Sequence, residues 1–268
     1  MTDLIVKNCL LSNNKDPQDI LIKGGVIKDI ASKIKADNLP IIDADFHFVT
    51  PPFVDSHFHM DATLSYGLPR VNKSGTLLEG IKLWGELKPN LTADAIKERA
   101  LKFCKWAIAR GTLAIRSHVD VSGQNLVGVE ALLDVRETMK DFIDIQLVAF
   151  PQDGLLRANC LDNLNAALDM GVDVVGGIPH FERTMEEGHE SIRILCEIAE
   201  KRGLLTDLHC DETDDPMSRH VEKLALETTR LGLKGRVAGS HLTSMHSIDN
   251  YYFTCLLYTS DAADELRS

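Results

Sequence analysis

The most constraining feature of the chain is a unit that repeats from about residue 50: a helical pattern ends near a glycine, a short apolar run follows, and a polar group arrives where the run stops. Ile96, Ala100, Phe103, Cys104, Ala107 and Ile108 mark one face of a helix that begins at a Thr92 cap and ends before Gly111. Leu113 to Val119 then reads as a strand closing on His118 and Asp120. Val127 to Met139 reads as the next amphipathic helix, and Ile143 to Phe150 as the next strand, with Gln152 just beyond it. The same grammar leads through Gly171 to Val172–Val175 and His180, through Gly203 to Leu204–His209, and through Gly235 to Arg236–His241. With Phe53 and Val54 counted, this predicts about six β/α units with polar residues at the C-terminal strand ends, the arrangement of a β/α barrel. An open doubly wound sheet is the alternative, but no glycine-rich phosphate loop follows the first strand. Six units rather than eight predict an incomplete barrel, with strand edges and apolar faces left uncovered.

Residues 1–50 follow a different pattern. Short β-prone pieces, Leu4–Val6, Ile20–Lys23 and Val26–Ile30, are broken by turn residues, and Gly24 and Gly25 suit a hairpin reversal. This predicts a small N-terminal β side sheet over 1–50, a partial barrel over 51–255, and a separate short tail over 256–268.

Forty acidic against 29 basic side chains give a formal charge of -11. No positive surplus exists to displace counterions from a nucleic-acid backbone, so a small-molecule partner is expected instead. No apolar run has the length of a membrane span, and the first ten residues lack the basic start and apolar core of a secretory signal. A soluble, cytoplasmic protein is the expectation. The six cysteines are far apart with no CxxC pair, and most read as small buried apolar residues. A homo-oligomer stays open, since no residue pattern reads its state.

Polar chemistry is concentrated at three strand ends. In Phe53–Asp61, alternation along a strand points His57 and His59 the same way, so the pair reads either as ligands of a first-row divalent metal or as surface or hydrogen-bonded histidines. In Leu208–Asp215 an apolar strand gives way to His209 and a run of carboxylates whose mutual repulsion a bound cation would relieve. His209 is a third candidate ligand, Glu212 a candidate for proton transfer, and Asp214 and Asp215 are candidate caps for a helix starting near Pro216. In Gly239–His246, His241 ends a strand where it could take a proton from water, and His246 reads as local support. His118 and His180 also end strands, and read as packing residues or as support behind the site, with direct chemistry the lesser alternative. Gln152 offers the donor and acceptor that a planar, amide-like heterocycle requires. Ser74–Gly80 reads either as a loop placing Leu77 or Leu78 over such a ring or as a helix start capped by Ser74 or Thr76.

Taken in order, Pro51–Asp61 with its His57 and His59, Phe150–Gln152, Gly177–Glu182, His209–Asp215 and Ser240–His246 resemble the bacterial cytosine deaminase branch of the amidohydrolase superfamily. The resemblance runs to about residue 254. It implies an α/β fold, a metal-dependent TIM barrel beside a small β domain, and one divalent metal ion, iron or zinc. His57, His59 and His209 match the family's metal ligands, Glu212 its proton shuttle, His241 its water-activating histidine and Gln152 its cytosine-recognising amide. The implied reaction is hydrolytic deamination of cytosine to uracil and ammonia, in pyrimidine salvage. Neighbouring possibilities are another cyclic amidine or aminated heterocycle, such as isocytosine or a creatinine-like compound, or an inactive small-molecule-binding relative. The HxE with PCxxC signature of the small zinc deaminases is absent. The family also takes a ligand aspartate from its eighth barrel strand, for which this sequence has no counterpart. Residues 256–268 read as translated adapter sequence, and a chain two units short is expected to have weak or no activity.

Overall fold

The computed structural model describes residues 3–35 and 38–259, and the chain divides into two compact units between Pro52 and Phe53. The smaller unit is a four-stranded sheet of β1 (Leu4–Cys9), β2 (Gln18–Lys23), β3 (Val26–Ala31) and β4 (Ile41–Asp43), in the order β3-β2-β1-β4. The first three strands pair antiparallel, and β4 runs parallel to β1. Gly24 and Gly25 both take positive φ, 59° and 77°, so the β2–β3 connection is the two-residue reversal their missing side chains permit. Asp19 is buried here, and its carboxylate accepts the Asn8 N–H of β1 and the Ile34 N–H of the segment after β3, tying both to β2.

The larger unit holds six parallel strands: β5 (Phe53–Phe58), β6 (Thr112–Asp120), β7 (Asp144–Phe150), β8 (Val174–Gly177), β9 (Leu205–Cys210) and β10 (Val237–His241). Their order, β10-β9-β8-β7-β6-β5, is strictly sequential. A doubly wound sheet reverses direction at a switch point, so sequential order excludes that alternative and leaves the barrel. The barrel is nearly closed. β5 and β10 are its outer strands, and among the described residues they do not pair with each other, yet the His57 and His241 rings at their ends lie 4.6 Å apart between centroids.

The connecting helices are α1 (Leu77–Leu87), α2 (Ala93–Ala109), α3 (Val127–Met139), α4 (Cys160–Asp169), α5 (Met185–Arg202) and α6 (His220–Arg230), followed by α7 (Asn250–Thr259). α2 starts where Thr92 accepts the Ala95 N–H, and buries Ile96, Ala100, Cys104 and Ala107, a stripe at the spacing a helix needs to face one neighbour. α5 is capped by Thr184 and stopped by Gly203 in the left-handed conformation. It therefore begins seven residues before the apolar stripe starting at Ile192, because its first turns carry Glu186 and Glu187, suited to the helix N-terminus. The segment before α1 resolves to a helix start: Thr76 accepts the Glu79 N–H.

Close packing explains the pair of glycines ending β8. A Cβ on Gly176 would fall 2.5 Å from the Ala149 carbonyl oxygen, and one on Gly177 would fall 2.3 Å from Leu195. Only glycine lets β8 lie between β7 and α5 at this depth. No described helix is long and apolar enough to cross a membrane. Of the tail read as 256–268, residues 256–259 continue α7, and 260–268 lie outside the described residues.

Candidate metal centre and active site

The strand ends of the barrel bring four imidazoles together. His57 lies in β5 and His59 just after it, with Phe58 between them turned outward to stack on Phe103 at 4.2 Å. The Met60 N–H donates to Ser117 Oγ at 2.8 Å, which ties the chain leaving β5 to β6. His118 and His209 come up from β6 and β9, both buried. One ring nitrogen from each of His57, His59, His118 and His209 lies within 4.8 Å of the others, so the group could hold a metal ion. His59 Nε2 and His209 Nε2 are 3.1 Å apart, and Phe150 stacks on the His209 ring at 4.1 Å.

The chemistry of this donor set fits a divalent cation. Burial, reinforced by His57 and His241, pushes His59 down to about 4, and burial beside His59 and His57 pushes His118 down to about 2. Burial and the neighbouring imidazoles lower His209 as well, and burial lowers His57. All four rings are thus neutral near pH 7, the form in which imidazole donates a lone pair to a metal. Among the described residues, His57 Nδ1 and His209 Nδ1 have no protein hydrogen-bond partner.

These shifts carry a stability prediction. The folded-state pKa of His59 lies below its ordinary 6.5, so the unfolded chain binds protons first as pH falls. Stability is full above the unfolded value and is lost between about 6.5 and about 4. At about 1.4 kcal/mol per pKa unit, His59 alone contributes a loss on the order of 3 kcal/mol. The chelator-treated protein is expected to melt several degrees lower at pH 5 than at pH 7. A melting temperature that stays level across this range would refute the buried, neutral cluster.

Beneath the imidazoles, Asp207 is buried in the barrel and accepts Arg116 Nη1 at 2.8 Å and the Ser240 hydroxyl at 2.7 Å. Arg116 also donates to Gln146 at 2.7 Å. The buried charge is therefore paired and hydrogen-bonded, as a charge at this depth must be.

Above them opens a cavity of about 790 Å3 whose wall includes His57, His59, Gln152, His209, Glu212 and His241. All six residues singled out in the sequence thus reach one space, as do Leu77 and Leu78 of α1 and His180. Glu212 Oε2 stands 3.7 Å from His241 Nε2, and burial raises the Glu212 carboxyl above its ordinary range. His241 has φ 72° and Leu242 φ 51°, backbone strain of the kind that collects at functional sites. His246 is exposed and does not reach the cavity.

Three expectations change. The Asp211 carboxylate does not join the imidazole cluster. It accepts the Ser218 hydroxyl, the His220 and Val221 N–H groups and His220 Nδ1, all within 3.0 Å. Burial would raise this carboxyl, but these donors outweigh it and hold it down at about 2. N–H and O–H donors therefore relieve the charge there. The same contacts move the helix start. α6 begins at His220 and not near Pro216, because Asp211 supplies the anion for its first turn, while Asp215 accepts the Met217 N–H in the preceding turn. His118 is the third change: it joins the cluster although in sequence it reads first as a packing or supporting residue. Its one signal was its place at the end of a strand, shared with His57, His209 and His241.

A β/α barrel carrying clustered histidines at its C-terminal strand ends defines a metal-dependent hydrolase type of site. Residues 40–253 match the amidohydrolase family model, and the chain belongs to that family. It is 39% identical to 5-methylcytosine deaminase from Klebsiella pneumoniae, whose crystal structure with phosphonocytosine superposes with a TM-score of 0.90 over 96% of this chain and 64% of that one. N-isopropylammelide isopropyl amidohydrolase of Pseudomonas sp. (strain ADP) is 34% identical over 252 residues, 89% of this chain and 60% of that protein. Pterin deaminase of Rhizobium rhizogenes is 29% identical over 234 residues, 85% of this chain and 52% of that protein. The chain thus spans between half and two thirds of the length of these relatives.

Proposed function

We propose that the protein hydrolyses cytosine to uracil and ammonia at one divalent metal ion, iron or zinc. The observation that carries this reading is the convergence of Gln152, Glu212 and His241 on one cavity directly above the imidazole cluster. His57, His59 and His209 would hold the metal, with His118 the fourth imidazole in reach. A bound metal would supply the lowered pKa of water that makes a nucleophile available near neutral pH. His241 takes a proton from the attacking water. Gln152 presents its carbonyl and NH2 to the donor and acceptor edge of the ring and so fixes which carbon faces the water. Glu212, its pKa raised by burial, delivers its proton to the ring nitrogen beside that carbon, takes up the hydroxyl proton of the newly added oxygen and passes it to the departing amine, and the proton held by His241 then restores the Glu212 acid. The new C–O bond and the broken C–N bond account for uracil and ammonia. A cytoplasmic role in pyrimidine salvage follows from this reading.

A second reading, deamination or amide hydrolysis of a different aminated heterocycle, draws support from relatives named for N-isopropylammelide and pterin. The two are separated by supplying metal-loaded protein with cytosine, 5-methylcytosine, isocytosine, creatinine and pterin, and measuring ammonia and products by chromatography. Cytosine turnover well above the rest is the expected result. Preferential turnover of another compound selects the second reading. Because the 268-residue chain is expected to be weakly active or inactive, the same assay is run on a chain extended to the length of its relatives, and metal binding without any ammonia release by that protein would sink both.

A further inference from the structure

Beside the main cavity lies a smaller one of about 230 Å3, and the two share Asp61, Trp84 and Asp120. One ammonium group holds this wall. Lys88, the residue after α1, donates from Nζ to Asp153 Oδ2 at 2.6 Å and to Asp120 Oδ2 at 3.2 Å. Trp84, one turn earlier, donates its indole N–H to the same Asp120 oxygen at 2.6 Å. Asp120 is the last residue of β6, and Asp153 directly follows Gln152. The ring closes through Ser122. Its N–H donates to Asp120 Oδ1 at 2.7 Å, and its hydroxyl oxygen accepts the Asp153 N–H at 2.9 Å.

We propose that Lys88 is a positioning residue for substrate recognition: by closing this ring it fixes the Gln152 amide and the Trp84 indole against the ends of β6 and β7. The inference rests on the reading of Gln152 as the recognising amide. Among the described residues Gln152 makes one hydrogen bond, its N–H donating to the Phe150 carbonyl at 2.9 Å, and its side chain makes none, so the direction of that side chain depends on how its neighbour Asp153 is held. A lone surface ion pair would contribute little, but the Lys88 and Asp120 side chains are only 17% and 6% exposed, Lys88 joins two carboxylates and Asp120 accepts from three donors, which anchors the half-exposed Asp153 through a buried ammonium. Losing the ammonium leaves two facing carboxylates to repel each other, which drives Asp153 outward and takes Gln152 with it.

The test compares Lys88→Met, which keeps the aliphatic stem, with Lys88→Arg, which keeps the charge, in the metal-loaded 268-residue chain. Amide hydrogen exchange in a 150–157 peptide is expected to quicken about tenfold in Lys88→Met, with exchange across 205–212 unchanged and Lys88→Arg close to wild type. In turnover, KM is expected to rise about tenfold with kcat changed less than about threefold. Added to a Gln152→Ala background, Lys88→Met should change KM less than about twofold, because a residue acting through Gln152 has nothing left to position. Unchanged exchange, faster exchange throughout the barrel, or the same KM cost in both backgrounds would each overturn the proposal. If wild type in its extended form releases no ammonia from any heterocycle, the proposed function fails while the exchange comparison still decides the role of Lys88.

Discussion

Replacing His209 with alanine is expected to abolish stoichiometric binding of a divalent metal and to lower deamination by about two to three orders of magnitude, the range seen when a transition-state stabiliser is lost. His209 is the best candidate for this experiment because its Nε2 lies 3.1 Å from His59 Nε2, and its ring packs between Phe150 and the other imidazoles. Two ring nitrogens that close share at most one proton, and a cation accepting both lone pairs replaces that compromise with two bonds. Truncation also empties space beside Phe150, so lost activity alone would not separate a missing ligand from a damaged core. Melting temperature with and without metal makes the separation. Metal at 100 times its dissociation constant adds about 2.7 kcal/mol to a protein that binds it only when folded. Wild type should therefore melt higher with metal, and His209→Ala should melt at one temperature regardless. A variant that retained one metal per chain at wild-type affinity would remove His209 from the ligand set.

Which parts of this site could be read in advance follows from the range of the interactions involved. Strand parity is local: it put His57 and His59 on one side of a strand without reference to anything else, and they line one cavity. Glycine punctuation is local too, so Gly111, Gly171 and Gly203 marked the turns into β6, β8 and β9. Asp211 was misread because what decides its environment is not the neighbouring carboxylates but Ser218 and His220, seven and nine residues away across a turn whose path no pattern announces. Lys88 is a stronger case. Its partners Asp120 and Asp153 lie 32 and 65 residues further on, and only closure of the barrel brings them together. His118 falls between these extremes: its strand was evident, but its place in the cluster depends on β6 lying beside β5 in one particular register, with Ser117 opposite Phe58.

Changing Glu212 to glutamine is expected to lower kcat by about 10² to 10⁴, the usual worth of a positioned acid or base, while leaving metal content intact. The substitution keeps size and hydrogen-bonding capacity and removes only the transferable proton. Two contributions act on this carboxyl. Burial raises its pKa, and the imidazole of His241, 3.7 Å away, pulls in the other direction. Burial wins, so the acid form persists above the ordinary 4.5 of a glutamate. For a general acid the sign follows directly: rate is lost as pH rises through the raised pKa and the proton leaves before the substrate can take it. Wild type should show that alkaline limb in kcat, and Glu212→Gln should lack it. His241→Asn makes the complementary change, removing the group assigned to the water while sparing Glu212, and should keep the limb on a much reduced rate. Since the two side chains act on one proton inventory, the double variant should be scarcely slower than the worse single variant. If Glu212→Gln keeps most of its activity, or if the two losses simply multiply, proton transfer to the ring does not run through this carboxyl, and Glu212 is left as a polar wall of the cavity.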